Sequence, residues 1–128
     1  MQTASPAILA SKAVLVVDAP GAAALLVDAL HAIGARAIGP TTDALAILSL
    51  LDRIGSVDVA VIDVDVVGRD LLSLVKMVRS RGIPVLLASQ GGCAAAEAAC
   101  RTPTASGKPV DLGMVAAAFW LGPSGSCE

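Results

Sequence analysis

The sequence contains no tyrosine, one phenylalanine and one tryptophan. With so few rings it has little with which to stack on nucleic-acid bases. Its 9 lysines and arginines are outnumbered by 11 aspartates and glutamates, giving a net charge of −2, and they form no cluster. The electrostatic footprint of a phosphate backbone is missing, so nucleic acid is not an expected partner. Long apolar runs are lacking too: Asp18, Asp28, Asp43, Asp63 and Asp65 interrupt them before the ~18 to 20 residues of a membrane span accumulate. The first residues, MQTASPAILAS, have neither a basic start nor a long apolar middle, and no secretory leader is expected. Cysteines are few and odd in number, at 93, 100 and 127, without a C-x-x-C spacing. That pattern excludes a zinc site and a disulfide framework and fits a reduced, cytoplasmic setting. Cys93 and Cys100 read as small buried hydrophobes. The single histidine, His31, falls on a helix among apolar residues and reads as a surface residue, neither a ligand nor a phosphodonor.

What the chain does have is aliphatic bulk. Of its 128 residues 55% are hydrophobic, chiefly alanine, valine and leucine, and 16% are charged. A single domain of this size buries a real core. The apolar excess argues against disorder and suggests a face covered by a partner, such as a second copy of the chain.

Short apolar runs alternate with longer amphipathic ones. Ala13–Val17 (AVLVV) reads as a buried strand, followed by a helix over roughly Gly21–Ile33 that turns Leu26, Leu30 and Ile33 inward. Gly34 ends it, and Ala35–Ile38 forms a second strand closed by Gly39-Pro40. Thr41 or Thr42 caps a helix to about Arg53, its inward face either Leu45, Leu48 and Leu51 or Ile47 and Leu51. Val57–Ile62 is the third strand. Asp70 caps a helix to about Arg81, and Gly82 stops it. Pro84–Ala88 is the fourth strand, Cys93–Cys100 a short alanine-rich helix, and Thr102–Ala105 at best a weak fifth strand. Asp111 caps a last helix to about Leu121. Residues 1–12 and 122–128 read as an N-terminal arm and a loose tail around a domain at 13–121.

Continuously apolar strands belong to parallel sheets covered on both faces, and repeated β–α units of this length make a doubly wound α/β domain. In such sheets chemistry collects beyond the carboxyl ends of the strands. Asp18 follows the first strand, Asp63 the third, Ser89 the fourth and Lys108 the fifth. The stretch VAVIDVDV (59–66) shows the pattern most clearly, since the most apolar segment runs directly into Asp63 and Asp65. Two carboxylates, a hydroxyl and a lysine are the parts needed to accept a phosphoryl group: a nucleophile, anionic ligands for Mg²⁺, and donors for the transferred oxygens.

In VLVVD (14–18), DVAVIDVDVVG (58–68), GIPVLLAS (82–89) and GKPVD (107–111) the sequence resembles the receiver domain of bacterial two-component response regulators, over roughly residues 13–121. The resemblance implies a flavodoxin-like, five-stranded parallel sheet in the order 2-1-3-4-5 with five helices. By it Asp63 is the phospho-acceptor, Asp18 one of the acidic pair that binds Mg²⁺, and Ser89 the switch hydroxyl. Lys108 is the lysine before a cis-prone proline, and Asp65 lends a backbone carbonyl to the metal. The implied partner is a histidine kinase or phosphotransfer protein. No output domain follows in this sequence, so output by protein–protein contact is expected, with a homodimer through the last helix as one form of it.

Two positions depart from that family. Ala19 stands where a second acid usually binds the metal directly, which weakens Mg²⁺ binding; Asp65, at the same edge, offers a substitute carboxylate. Ala105 stands where a signalling aromatic usually sits. Both departures keep open an alternative, a pseudo-receiver that is never phosphorylated and acts as an interaction module. Simpler structural roles also stay open: a turn cap for Asp63, a helix N-cap for Asp18, a solvated loop lysine for Lys108 and turn material for Ser89. Phe119 and Trp120 are adjacent on the last helix, so one faces the core and the other is an exposed anchor. Enzymatic activity is not expected: DAPGAAA after the first strand lacks the G-x-G-x-x-G spacing, and no G-x-S-x-G elbow exists.

Overall fold

The computed structural model describes residues 4–54, 56–67, 70–89, 104–106 and 110–122. Its centre is a parallel sheet. The strands β1 (Ala13–Val17), β2 (Arg36–Thr41), β3 (Val59–Asp63) and β4 (Val85–Ser89) stand in the order 2-1-3-4. Three further residues, Thr104–Ser106, pair with the outer edge of β4 as a short β5. Every residue of β1, β3 and β4 is buried, as uninterrupted apolar runs require of strands covered on both faces.

The helices are α1 (Pro20–Ala32), α2 (Ala44–Ile54), α3 (Val64–Val67), α4 (Leu71–Ser80) and α5 (Leu112–Leu121). Strand alternation divides the core in two. On one face Val14, Val16, Val59, Val61 and Leu86 pack with Leu26 and Leu30 of α1 and Val115 and Ala116 of α5. On the other, Leu15, Val17, Ile62 and Leu87 pack with Ile47 and Leu51 of α2 and Leu74, Val75 and Val78 of α4. Among the described residues no helix is long and apolar enough to cross a membrane. The expected helix at Cys93–Cys100, and Cys127 in the tail, lie outside the described residues.

Four expectations are corrected. Gly39-Pro40 does not close β2: the strand runs on to Thr41, with a register irregularity against β1 between Leu15 and Val17. A bulge at an edge strand absorbs a glycine with positive φ and a proline that cannot donate. Thr41 consequently ends a strand and caps no helix, and α2 begins only at Ala44. The N-terminal segment is not loose over residues 4–12. Leu9, on a 3-10 turn at Pro6–Leu9, is completely buried, the Ala4 N–H donates to the Gly113 carbonyl at 2.9 Å, and the Lys12 ammonium lies 5.6 Å from the Phe119 ring centre. The uncovered side of α5 supplies the apolar surface that this segment buries. Lastly, Asp70 precedes α4 but its side chain makes no capping hydrogen bond, because its backbone is not in the extended form a cap needs. Asp111 does cap α5, accepting the Gly113 N–H at 2.7 Å.

Candidate functional site at the carboxyl edge of the sheet

β1 and β3 are neighbours, with Val17 paired to Ile62. Carried one step further, that register sets Asp18 across from Asp63. Both carboxylates are buried, Asp18 at 8% exposure and Asp63 at 3%. Each is held from the backbone, as an ionised group taken out of water must be. The Asp18 N–H donates to the Thr41 carbonyl at 3.0 Å, so the extension of β2 fixes where Asp18 sits. Its Oδ1 accepts the Ala19 N–H at 2.7 Å. Asp18 is not the N-cap of α1; Ala19 holds that position without a side-chain cap.

Asp63 ends β3, and its Oδ1 accepts the Val66 N–H at 2.9 Å. That bond closes the first turn of α3, so Asp63 does cap a turn while standing at a strand end. The sequence reading missed α3 altogether. Three valines in VDVV favour a strand, and the signal for a helix was the pair of acids at 63 and 65 near its start.

Ser89 ends β4 at 2% exposure, and its hydroxyl donates to Asp65 Oδ2 at 3.0 Å. Asp65 is thus at the expected edge, with its carboxylate turned to Ser89. Among the described residues no group of three or more His, Cys, Asp or Glu could hold a metal ion. Two carboxylates still suit Mg²⁺, which takes one or two of them and completes its shell with water and substrate oxygens. Ala105 is buried and lies opposite Ala88 on β4. Lys108 and Pro109 lie outside the described residues. His31 is exposed on α1, away from the strand ends, as expected.

No protein-family model matches the sequence, and no curated protein matches it. Solved structures do. The chain is similar to the receiver domain of the Francisella response regulator 1452, with 18% identity and a TM-score of 0.63 over 87% of this chain and 94% of that one. It is also similar to a CheY-like response regulator receiver domain from Methylobacillus flagellatus, with 21% identity and a TM-score of 0.61 over 88% and 98% of the two chains. The receiver domain of the TMAO respiratory system response regulator TorR matches with 20% identity and a TM-score of 0.53, over 60% of this chain and 64% of that domain. The fold is that of a response regulator receiver domain.

Proposed function

We propose that the chain is a phosphoryl-accepting receiver domain of a two-component system, with Asp63 as the acceptor. The observation that carries this reading is the placement of Asp18 and Asp63, both buried, at the carboxyl ends of neighbouring strands of a receiver fold. Asp63 Oδ2 attacks the phosphorus of a phosphohistidine on a histidine kinase or phosphotransfer protein. An O–P bond forms as the P–N bond breaks; the imidazole nitrogen keeps the electron pair and takes a proton from solvent. The Val66 N–H holds Oδ1 and so orients the nucleophile. Bound by Asp18 and Asp63 with the backbone carbonyl of Asp65, Mg²⁺ would supply positive charge for the phosphoryl oxygens. Lys108 is assigned the same electrostatic task by resemblance alone. Once the group is attached, the Ser89 hydroxyl donates a hydrogen bond to a phosphoryl oxygen, and the changed edge biases a surface read by another protein in the cytoplasm. A second copy would dock at the end of α5, where Trp120 is 76% exposed beside Leu121; a strictly monomeric chain in solution removes that part of the reading.

The second reading, a pseudo-receiver, is favoured by Ala19 and by the small buried side chain at Ala105. Incubation with a small phosphodonor and Mg²⁺, followed by the mass of the intact protein, separates the two. The first reading expects a phosphate-sized gain that a chelator abolishes. No gain from small donors or from a panel of phosphorylated kinases assigns the chain to the second.

A further inference from the structure

The Ser89 hydroxyl joins β4 to α3, donating to a carboxylate 24 residues away in the chain. A hydroxyl has one proton and donates to one acceptor at a time. β4 pairs with β3 so that Asp63 lies opposite Ala88, next to Ser89. A phosphoryl group on Asp63 therefore brings new acceptor oxygens to the strand end where Ser89 is already committed. Asp65 and the phosphoryl group must compete for the same proton.

We propose that Asp65 is a positioning residue that acts through Ser89: its carboxylate retains the hydroxyl in the unphosphorylated chain and opposes its transfer to a phosphoryl oxygen. The inference rests on the phosphoryl-accepting reading above. An ionised acceptor makes the stronger kind of hydrogen bond, which gives the retained state its hold. Asp65 sits on the four-residue α3, whose first turn is closed by Asp63 itself. Acceptor and retaining group therefore stand on one short element, and charge added to Asp63 also repels the Asp65 carboxylate. The hydroxyl passes to the phosphoryl group when these effects together exceed the retention. In this chain, which has Ala105 where an aromatic would report the hydroxyl's position, Asp65 supplies the alternative state that a two-position switch needs.

The test is the affinity for beryllofluoride, a phosphoryl mimic, in the presence of Mg²⁺. Asp65→Ala is expected to bind it about five-fold more tightly than wild type, the equivalent of one hydrogen bond released. Asp65→Asn loses the charge but keeps an acceptor oxygen, and its gain is expected to be smaller. On a Ser89→Ala background the difference between the two substitutions vanishes; on Ser89→Thr, which restores a hydroxyl, it returns. Equal gains for Asp65→Ala and Asp65→Asn with Ser89 present mean charge repulsion alone and overturn the inference. Binding by wild type that neither substitution improves also overturns it and leaves the phosphoryl-accepting reading standing. Absence of binding in every variant overturns both.

Discussion

Phosphoryl uptake by the Asp63→Asn protein is expected to fall by at least about 1,000-fold, to the background of adventitious labelling, because the substitution removes the nucleophile proposed above. An amide has no anionic oxygen to form the O–P bond. The substitution leaves the surroundings nearly intact: asparagine is the same size, and its carbonyl can still accept the Val66 N–H that Asp63 Oδ1 takes at 2.9 Å. Unfolding free energy should therefore change by less than about 1 kcal/mol. Intact mass after incubation with donor and Mg²⁺ checks the first expectation, and urea unfolding the second. Uptake that survives in Asp63→Asn would move the acceptor elsewhere. A loss of more than about 1 kcal/mol in stability would mean that the charge at 63 is structural.

Gly39→Ala is expected to cost about 3 kcal/mol of stability or more. The residue has φ +94, and a Cβ built on it would lie 2.8 Å from the Val16 carbonyl oxygen and 3.0 Å from the Thr41 nitrogen. Both neighbours are backbone; Val16 belongs to β1, so relieving that contact requires β1 and β2 to part, and Thr41 belongs to β2 itself, so relieving the other requires the strand to bend. The comparison is Gly34→Ala, at φ +83 with nothing within 4 Å of the added carbon. That change meets the left-handed backbone penalty alone, roughly 1–2 kcal/mol. Urea midpoints of the two variants give the difference directly; equal losses would remove the close approach as its cause. The effect also reaches the site. Thr41, two residues on from Gly39, accepts the Asp18 N–H at 3.0 Å, so parting the strands shifts the carboxylate beside Asp63.

Much of this was legible in the sequence because the central strands are extreme. AVLVV, VAVID and PVLLA carry no polar residue until their carboxyl ends, and a parallel sheet buried on both faces asks for that pattern. Asp18, Asp63 and Ser89 could be assigned to one edge for the same reason: each is the first polar residue after such a run. The less regular parts obeyed forces that the local pattern does not carry. Gly39-Pro40 reads as a stop, yet on an edge strand the missing N–H leaves a bulge, and pairing resumes at Thr41. Val64, Val66 and Val67 favour a strand, yet the chain turns helical once the Asp63 carboxylate takes the Val66 N–H. Pro6–Leu9 has no periodicity to announce that Leu9 is buried against α1 and α5; that depends on how much apolar surface the helices leave uncovered. The partner chosen by the Asp65 side chain was equally out of reach, since Ser89 comes from a different strand.

The account depends most on Asp18 and Asp63 acting as one cation site. Mn²⁺ can replace Mg²⁺ at oxygen ligands and broadens the signals of nearby amide protons. The amides of Ala19 and Val66 donate to the two carboxylates at 2.7 and 2.9 Å, which makes them reporters of the site. Titrating Mn²⁺ into the labelled protein should broaden both signals together, before any others, and Asp63→Asn should weaken the effect at both. The account is contradicted if the amides of Asp28 and Asp52, exposed on α1 and α2, broaden first while those of Ala19 and Val66 stay sharp.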